Sequence, residues 1–68
     1  MLAGLKLWRT AQASRESLPP YCVFSDKTLM EIARARPQSL DDLLEVSGVG
    51  PGKLGKYGED VLKITGET

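Results

Sequence analysis

The sequence predicts an all-α fold, a compact bundle of five short helices with an extended apolar loop after the first helix. Apolar residues recur at the three- and four-residue spacing of amphipathic helices over most of the chain. Proline and glycine divide this pattern into short segments at 19–20, at Pro37 and in the glycine-rich run 47–53. The apolar, β-prone stretch 21–24 has no second strand with which to pair, so no sheet is expected.

Composition restricts the function classes open to this chain. Its 68 residues are enough for one domain with a small core. The absence of histidine and the single cysteine, Cys22, exclude a zinc finger, a Cys–His nucleophile and an internal disulfide. The lone thiol indicates a reducing compartment, and no apolar run reaches membrane-spanning length. We therefore expect a soluble, cytoplasmic, monomeric and non-enzymatic domain, without cofactor or metal and with no affinity for membranes.

The net charge argues against strong binding to nucleic acid. Nine Lys and Arg residues are balanced by nine Asp and Glu residues. Affinity for a phosphate backbone comes mainly from cations that displace condensed counterions. A neutral domain is therefore expected to bind nucleic acid weakly, through a local patch, or not at all.

The first helix is predicted from Leu2 to about Ser17 and is amphipathic. The residues expected on its inward face are Leu5, Leu7, Trp8 and Ala11. The residues expected on its outward face are Lys6, Arg9, Thr10 and Ala13. The proline pair 19–20 ends this helix, because proline supplies no N–H and disfavours helical geometry in the residue before it. The stretch 21–24 is then expected to be extended, with its side chains in the core.

The second helix has clear end signals. Ser25 is the expected N-cap, with Asp26 in the first turn, and Pro37 stops a helix that runs to about Ala35. The residues expected on its buried face are Leu29, Ile32 and Ala33. Its outward residues are Lys27, Glu31 and Arg34, where pairing of Glu31 with either neighbour is the simpler interpretation of the spacing.

Three further short helices are predicted in the C-terminal half. Ser39 and Asp42 approximate a capping box before the third helix. Pro51 suits the first position of the fourth helix, and Gly58 is expected to separate it from the fifth. The apolar residues of the last two helices are Leu54, Tyr57, Val61, Leu62 and Ile64. The last residues, 65–68, are expected to form a frayed or truncated end.

The glycine-rich run 47–53 predicts a hairpin between the third and fourth helices. Glycine tolerates positive φ and carries no Cβ, so the amides of Gly48 and Gly50 can approach a phosphate closely, beside the N-terminus of the next helix. Lys53 and Lys56 follow and form the best local cationic patch. A glycine turn also closes many helix pairs that bind nothing, and most surface lysines are simply solvated, so both interpretations stay open.

Several short motifs, taken together in order and spacing, resemble one family. They are Trp8-Arg9, Pro19-Pro20-Tyr21-Cys22-Val23-Phe24-Ser25-Asp26 with Leu29 after it, Pro37, Leu43-Leu44, Gly48-Val49-Gly50, Lys53-Leu54 and Tyr57-Gly58. They resemble the HRDC (helicase and RNase D C-terminal) domain, a five-helix bundle at the C-terminal ends of RecQ-family helicases and RNase D-like exonucleases. The proline-tyrosine loop is most similar to that of bacterial RecQ. The resemblance implies a single domain, 1–68, from the C-terminal region of a larger protein. The expected parent is an ATP-dependent DNA helicase, and the alternative parent is an RNase D-like nuclease.

The resemblance also implies an accessory module that binds single-stranded DNA or DNA junctions weakly, while other domains perform catalysis. Tyr21 matches the loop aromatic that contributes to single-strand binding, and Lys27 lies close enough in sequence to support it. The alternative for Tyr21 is a ring packed against Trp8 or Phe24. Leu54 departs from the small residue common in repair-type helix-hairpin-helix motifs, which weakens the case for phosphate binding.

The acidic residues support a rival function. They are Asp41, Asp42 and Glu45 before the hairpin, and Glu59 and Asp60 after it. At the starts of short helices they act as caps and aid solubility, but they also suit contact with a basic surface on the catalytic core of the parent. The rival hypothesis is therefore a protein-interaction and regulatory module that docks on the catalytic core of the parent or on a partner protein, with little DNA binding of its own.

Arg9 is also open to two interpretations, an outward pair with Lys6 or an ion pair with Asp26.

Overall fold

A computed structural model describes residues 1–66, which form five α-helices. The helices are α1 (Leu2–Glu16), α2 (Pro20–Val23), α3 (Asp26–Ala35), α4 (Leu40–Leu44) and α5 (Pro51–Gly66). This range contains no strand, and the predicted all-helical bundle is confirmed. None of these five helices has the length and apolar content that crossing a membrane requires.

The segment after α1 is one helical turn rather than an extended loop. Pro20 occupies the first helical position, where its missing N–H costs nothing, and the Cys22 amide donates to the Pro19 carbonyl at 2.9 Å. Extended backbone flanks the turn, at Pro19 before it and at Phe24 and Ser25 after it. The expected burial of the segment holds for Val23 and Phe24, whereas Tyr21 and Cys22 are exposed.

Gly58 does not divide the C-terminal region into two helices, as the sequence predicted. α5 runs through it, and Gly58 is buried. A Cβ at this position would lie 2.8 Å from Leu40 Cδ2, so the missing side chain allows α4 to pack closely against α5. The helix also continues through Thr65, whose hydroxyl donates to the Pro37 carbonyl at 2.9 Å, so fraying is wrong for 65–66. The remaining two residues of that predicted end, 67–68, lie outside the described range.

The buried face of α1 also differs from the predicted one. Leu5 and Ala13 are buried, while Leu7 is 74% exposed and Ala11 is exposed. The buried stripe passes through Arg9, whose side chain is 11% exposed. Hydropathy alone assigns an arginine to solvent, and this rotated the predicted face away from the true one.

The helix caps and the α3 face follow the sequence more closely. Ser25 Oγ accepts from the Thr28 amide at 3.1 Å, and Ser39 Oγ accepts from the Asp42 amide at 3.1 Å. A complete capping box would have the Asp42 carboxylate accept from the Ser39 amide. Asp42 Oδ2 instead accepts from the preceding amide, that of Gln38, at 3.4 Å, so only half of the predicted capping box is formed. The largest fully buried side chains of the core are Phe24, Leu5, Leu29, Ile32, Leu43, Val23 and Val61.

Candidate nucleic-acid interface

Contacts between side chains and backbone join α2, the start of α3 and the glycine turn. Lys53 Nζ, in the first turn of α5, donates to the carbonyls of Val23 and Cys22 at the end of α2. A Cβ added to Gly48 would overlap Thr28 Oγ1, so the turn lies directly against the first turn of α3. The structure therefore places Lys53 against the α2 turn that carries Tyr21, and Gly48 against the first turn of α3, which carries Lys27.

Tyr21 is the exposed aromatic residue of this region. Its side chain is 70% exposed, on the α2 turn between Pro20 and Cys22. The space beside Trp8 and Phe24, which was its alternative location, is filled by Tyr57, with ring centroids 5.7 Å from each. Tyr21 therefore presents a phenol ring to solvent, where an unpaired base is able to stack on it.

The glycine turn has one glycine with an internal role and one in open surroundings. Val46 and Val49 are buried, and their amides donate to Leu43 and Val46 carbonyls at 3.0 and 3.1 Å. Gly48 adopts φ 93°, a left-handed conformation that only glycine takes easily. A Cβ at Gly50 would meet nothing within 4 Å. Within residues 1–66, neither glycine amide donates to a protein acceptor, as a phosphate-binding turn requires.

Both lysines of the predicted cationic patch make internal contacts. Lys53 Nζ lies 2.8 Å from the Val23 carbonyl and 5.3 Å from the centroid of the Phe24 ring. Lys56 forms an ion pair with Glu16 and lies 5.3 Å from the centroid of the Tyr57 ring. The Glu16 carboxylate raises the pKa of Lys56, so this ammonium stays charged. The charges are present, but each is partly neutralised or screened from an incoming phosphate.

Lys27 is the sequence-predicted cation with the fewest constraints. It is exposed on the first turn of α3 and forms no ion pair within the described part of the chain. Of the two partners expected for Glu31, the structure selects Arg34, whose Nη1 lies 3.9 Å from Glu31 Oε1, and not Lys27. Lys27 is therefore exposed and free of any ion pair within residues 1–66, six residues after Tyr21 in sequence.

The sequence left the role of Arg9 open, and the structure selects the ion pair with Asp26. Arg9 Nη1 lies 2.7 Å from Asp26 Oδ1 and donates to the Phe24 carbonyl at 3.0 Å. The Arg9 guanidinium thereby holds the pKa of Asp26 below its usual value. These contacts tie α1 to Phe24, which lies between α2 and α3, and to the first residue of α3.

Glu16 is an organising residue that the sequence analysis missed. Its carboxylate binds Lys56, accepts from the Tyr57 hydroxyl at 2.7 Å and accepts from Gln12 Nε2 at 3.0 Å. These contacts, Lys56 foremost, lower the pKa of Glu16 to about 2. Its partners Lys56 and Tyr57 lie on α5, and sequence spacing within α1 gives no signal of them.

An acidic groove lies between α3 and α4. Its volume is about 600 Å³, and it is lined by Glu31, Ala35, Pro37, Asp42, Glu45, Val46 and Ser47. Three carboxylates in a shallow groove repel a phosphate backbone. This part of the surface is therefore unsuited to DNA and suited to a basic group.

Comparison with known proteins agrees with this helical arrangement. The sequence matches the family model described as "HRDC domain" over residues 1–65. The chain belongs to the HRDC family. The expected resemblance is thereby confirmed, and it extends over nearly the whole chain.

Curated relatives of this HRDC domain include DNA helicases as well as a protein named "Ribonuclease D" from Gluconacetobacter diazotrophicus, to which it is 33% identical over 64 residues. It is 41% identical over 64 residues to "ATP-dependent DNA helicase UvrD2" of Mycobacterium tuberculosis, covering 94% of this chain and 9% of that protein. It is 37% identical over 67 residues to "ATP-dependent DNA helicase RecQ" of Haemophilus influenzae, covering 98% of this chain and 11% of that protein. The RecQ of Bacillus subtilis is 43% identical over 59 residues, which is 87% of this chain and 10% of that protein. The chain thus spans about a tenth of the length of these helicase relatives.

Proposed function

We propose that this HRDC domain is the accessory DNA-binding module of a RecQ-like, ATP-dependent DNA helicase. It binds single-stranded DNA or the unpaired parts of DNA junctions weakly, and tunes the substrate choice of its parent in DNA repair and recombination. The domain itself is non-catalytic, and it acts as a monomer in the cytoplasm, near the bacterial nucleoid. The names and identities of the helicase relatives support this parent.

The observation that carries the DNA-binding proposal is the 70% exposure of Tyr21. A large aromatic side chain on a proline-flanked turn loses little entropy on binding and offers a face to any unpaired base. Stacking of this kind contributes on the order of 1–3 kcal/mol per base and does not depend on sequence. Lys27 supplies a cation, and the amides of Gly48 and Gly50 supply donors for the backbone.

The charge distribution explains why the binding is weak. Lys53 and Lys56, the other two lysines of the predicted site, are bound to internal partners, so neither ammonium is free to engage a phosphate fully. Each cation that engages single-stranded DNA contributes about −0.7 to the slope of log K against log salt. A site with one or two engaged cations therefore has a shallow salt dependence and relies on stacking.

The first test is a titration of the ¹⁵N-labelled domain with oligo-dT at low salt. We expect amide shifts centred on Tyr21, Lys27 and the Gly48–Gly50 turn. Tyr21→Ala should weaken binding by about 5- to 150-fold, the equivalent of about 1–3 kcal/mol. Lys27→Met should weaken it and reduce the salt slope by about 0.7, whereas Lys63→Met, on an exposed lysine near the end of α5, serves as the matched control.

Cys22 provides a second test that is independent of chemical shifts. It is the chain's single cysteine, it is exposed, and it follows Tyr21 directly. Oligo-dT that carries an activated disulfide should cross-link to Cys22, and excess unmodified oligo-dT should suppress the reaction. Amides that do not move at low salt, together with cross-linking that competitor leaves unchanged, would contradict the DNA-binding proposal.

The acidic groove supports a second candidate function, docking on the catalytic core of the parent. Glu31, Asp42 and Glu45 line it together with the apolar Val46, a combination that suits a basic segment of a protein. The test is to add the parent's catalytic core, produced without this domain, to the labelled domain. Shifts around the groove that are abolished by Glu45→Lys, with Tyr21 unaffected, would favour docking.

A further inference from the structure

The ammonium of Lys53 is bound to the α2 turn rather than directed to solvent. Its Nζ donates to the Val23 carbonyl at 2.8 Å and to the Cys22 carbonyl at 3.2 Å. It also lies 5.3 Å from the centroid of the buried Phe24 ring. An ammonium has three N–H donors, so the two carbonyls occupy two of them. To direct all its donors to a phosphate, Lys53 would have to break both hydrogen bonds, and the Cys22 and Val23 carbonyls would then have only water as a partner.

The α2 turn needs a contact of this kind. It comprises four residues, and a single helical turn fixes many backbone dihedrals for very few hydrogen bonds. The last carbonyls of any helix lack partners within that helix. Lys53 supplies a charged donor to the two carbonyls that directly follow Tyr21, and charge-assisted hydrogen bonds are stronger than neutral ones.

We propose that Lys53 is a positioning residue, which holds the α2 turn so that Tyr21 is displayed for stacking, and is not itself a phosphate ligand. The inference rests on the proposed function, because the placement of Tyr21 matters only if its ring stacks on DNA. Lys53 stands three residues after Gly50, so it also connects the glycine turn to the stacking residue. A turn already held in its bound conformation loses less entropy when DNA binds.

The binding test uses Lys53→Met, which keeps the length of the side chain but removes the charge and the donors. We expect oligo-dT affinity to fall by on the order of 3- to 10-fold, through the lost ordering of α2. The salt slope should stay that of the wild type, whereas loss of a phosphate contact would reduce it by about 0.7. Lys53→Arg, which still donates to two carbonyls, should bind within about twofold of the wild type. Lys63→Met is the matched control.

A double-mutant cycle separates positioning from direct contact. If Lys53 acts through Tyr21, Lys53→Met should cost nothing further in a Tyr21→Ala background. Additive losses in the double variant, or a salt slope reduced by about 0.7, would overturn the proposal.

Amide exchange of the free domain tests the inference without DNA. Lys53→Met should speed exchange at residues 21–24 and leave α3 unchanged, and Lys63→Met should change neither. Unchanged exchange at 21–24 would overturn the positioning role even if DNA binding fell. Should the wild type bind no oligo-dT while Lys53→Met still speeds exchange there, the proposed function falls and Lys53 remains the residue that holds α2. If Lys53→Met does not fold, Lys53→Gln, which keeps an amide donor, takes its place.

Discussion

The two tyrosines of this domain occupy opposite environments. Tyr57 is 3% exposed, with its ring against Trp8 and Phe24 and its hydroxyl donating to Glu16, whereas Tyr21 is 70% exposed. Burial, followed by the hydrogen bond to Glu16, raises the pKa of Tyr57. The internal aromatic position is filled, so Tyr21 is left for contacts outside the domain.

The lysines divide in the same way. Lys56 binds Glu16 and Lys53 binds the α2 carbonyls, while Lys27 forms no ion pair within residues 1–66. Sequence position does not separate Lys27 from Lys53, because each lies in the first turn of its helix, and Lys56 lies only one turn further along α5. The difference arises from the partners that the fold places opposite each ammonium. Contacts within the domain and direct contacts with DNA are therefore expected to use different tyrosines and different lysines.

The largest expected effect tests the buried member of the tyrosine pair. Tyr57→Ala should lower the free energy of unfolding by about 3–5 kcal/mol, the typical cost of removing a large aromatic side chain from a core. Tyr57→Phe, which keeps the ring and loses the hydrogen bond to Glu16, should cost about 1 kcal/mol. Urea denaturation of both variants checks this. A Tyr57→Ala variant as stable as the wild type would contradict the assignment of Tyr57 to the core and of Tyr21 to the surface.

The two glycines of the glycine turn differ in the same way, because Gly48 lies against Thr28 and Gly50 has free space around it. Gly48→Ala should lower the free energy of unfolding by about 2–4 kcal/mol, because the new Cβ overlaps Thr28 Oγ1 and the backbone has positive φ. Gly50→Ala is the matched control and should change stability by less than about 1 kcal/mol, since its Cβ points into open space. Thermal and urea unfolding measure both. Equal losses in the two variants would contradict the assigned difference.

Acid should destabilise the domain by protonating the two carboxylates that form internal ion pairs, Glu16 and Asp26. The pKa of Glu16 is lowered to about 2 from an ordinary value of 4.5, so its stabilising contribution is complete above the ordinary value and is lost as pH falls through about 2. The lowered pKa of Asp26 acts in the same direction. The free energy of unfolding should therefore decrease as pH falls from about 5 to about 2. Urea titrations at several pH values should show a flatter profile for Glu16→Gln, and Glu59→Gln is the control.

The sequence predicted those parts of the fold that local signals determine. Ser25 and Ser39 cap their helices as their positions before helical patterns indicated, and Leu29 and Ile32 lie on the buried face of α3. The α1 face was wrong because Arg9 is held inside by Asp26 and by the Phe24 carbonyl. These partners come from other elements, and a hydropathy pattern within one helix contains no information about them.

Gly58 and the lysines show the same limit. A glycine in a helical pattern indicates either a break or a close approach, and here the close approach of Leu40 decides. The sequence marks Lys53 and Lys56 as cations near a glycine turn, but the partners of their ammonium groups depend on tertiary contacts. The candidate site was therefore predicted as a set of residues, and their individual environments required the structure.

The smallest expected change in stability belongs to the exposed member of the tyrosine pair. Tyr21→Ala should alter the free energy of unfolding by less than about 0.5 kcal/mol, because its ring is 70% exposed. The same substitution is expected to cost on the order of 1–3 kcal/mol in oligo-dT binding. Urea denaturation and a DNA titration on one preparation measure both quantities. A variant that loses stability but not affinity for oligo-dT would show that the Tyr21 ring supports the fold. Tyr21 would then not be the residue on which the bases of DNA stack.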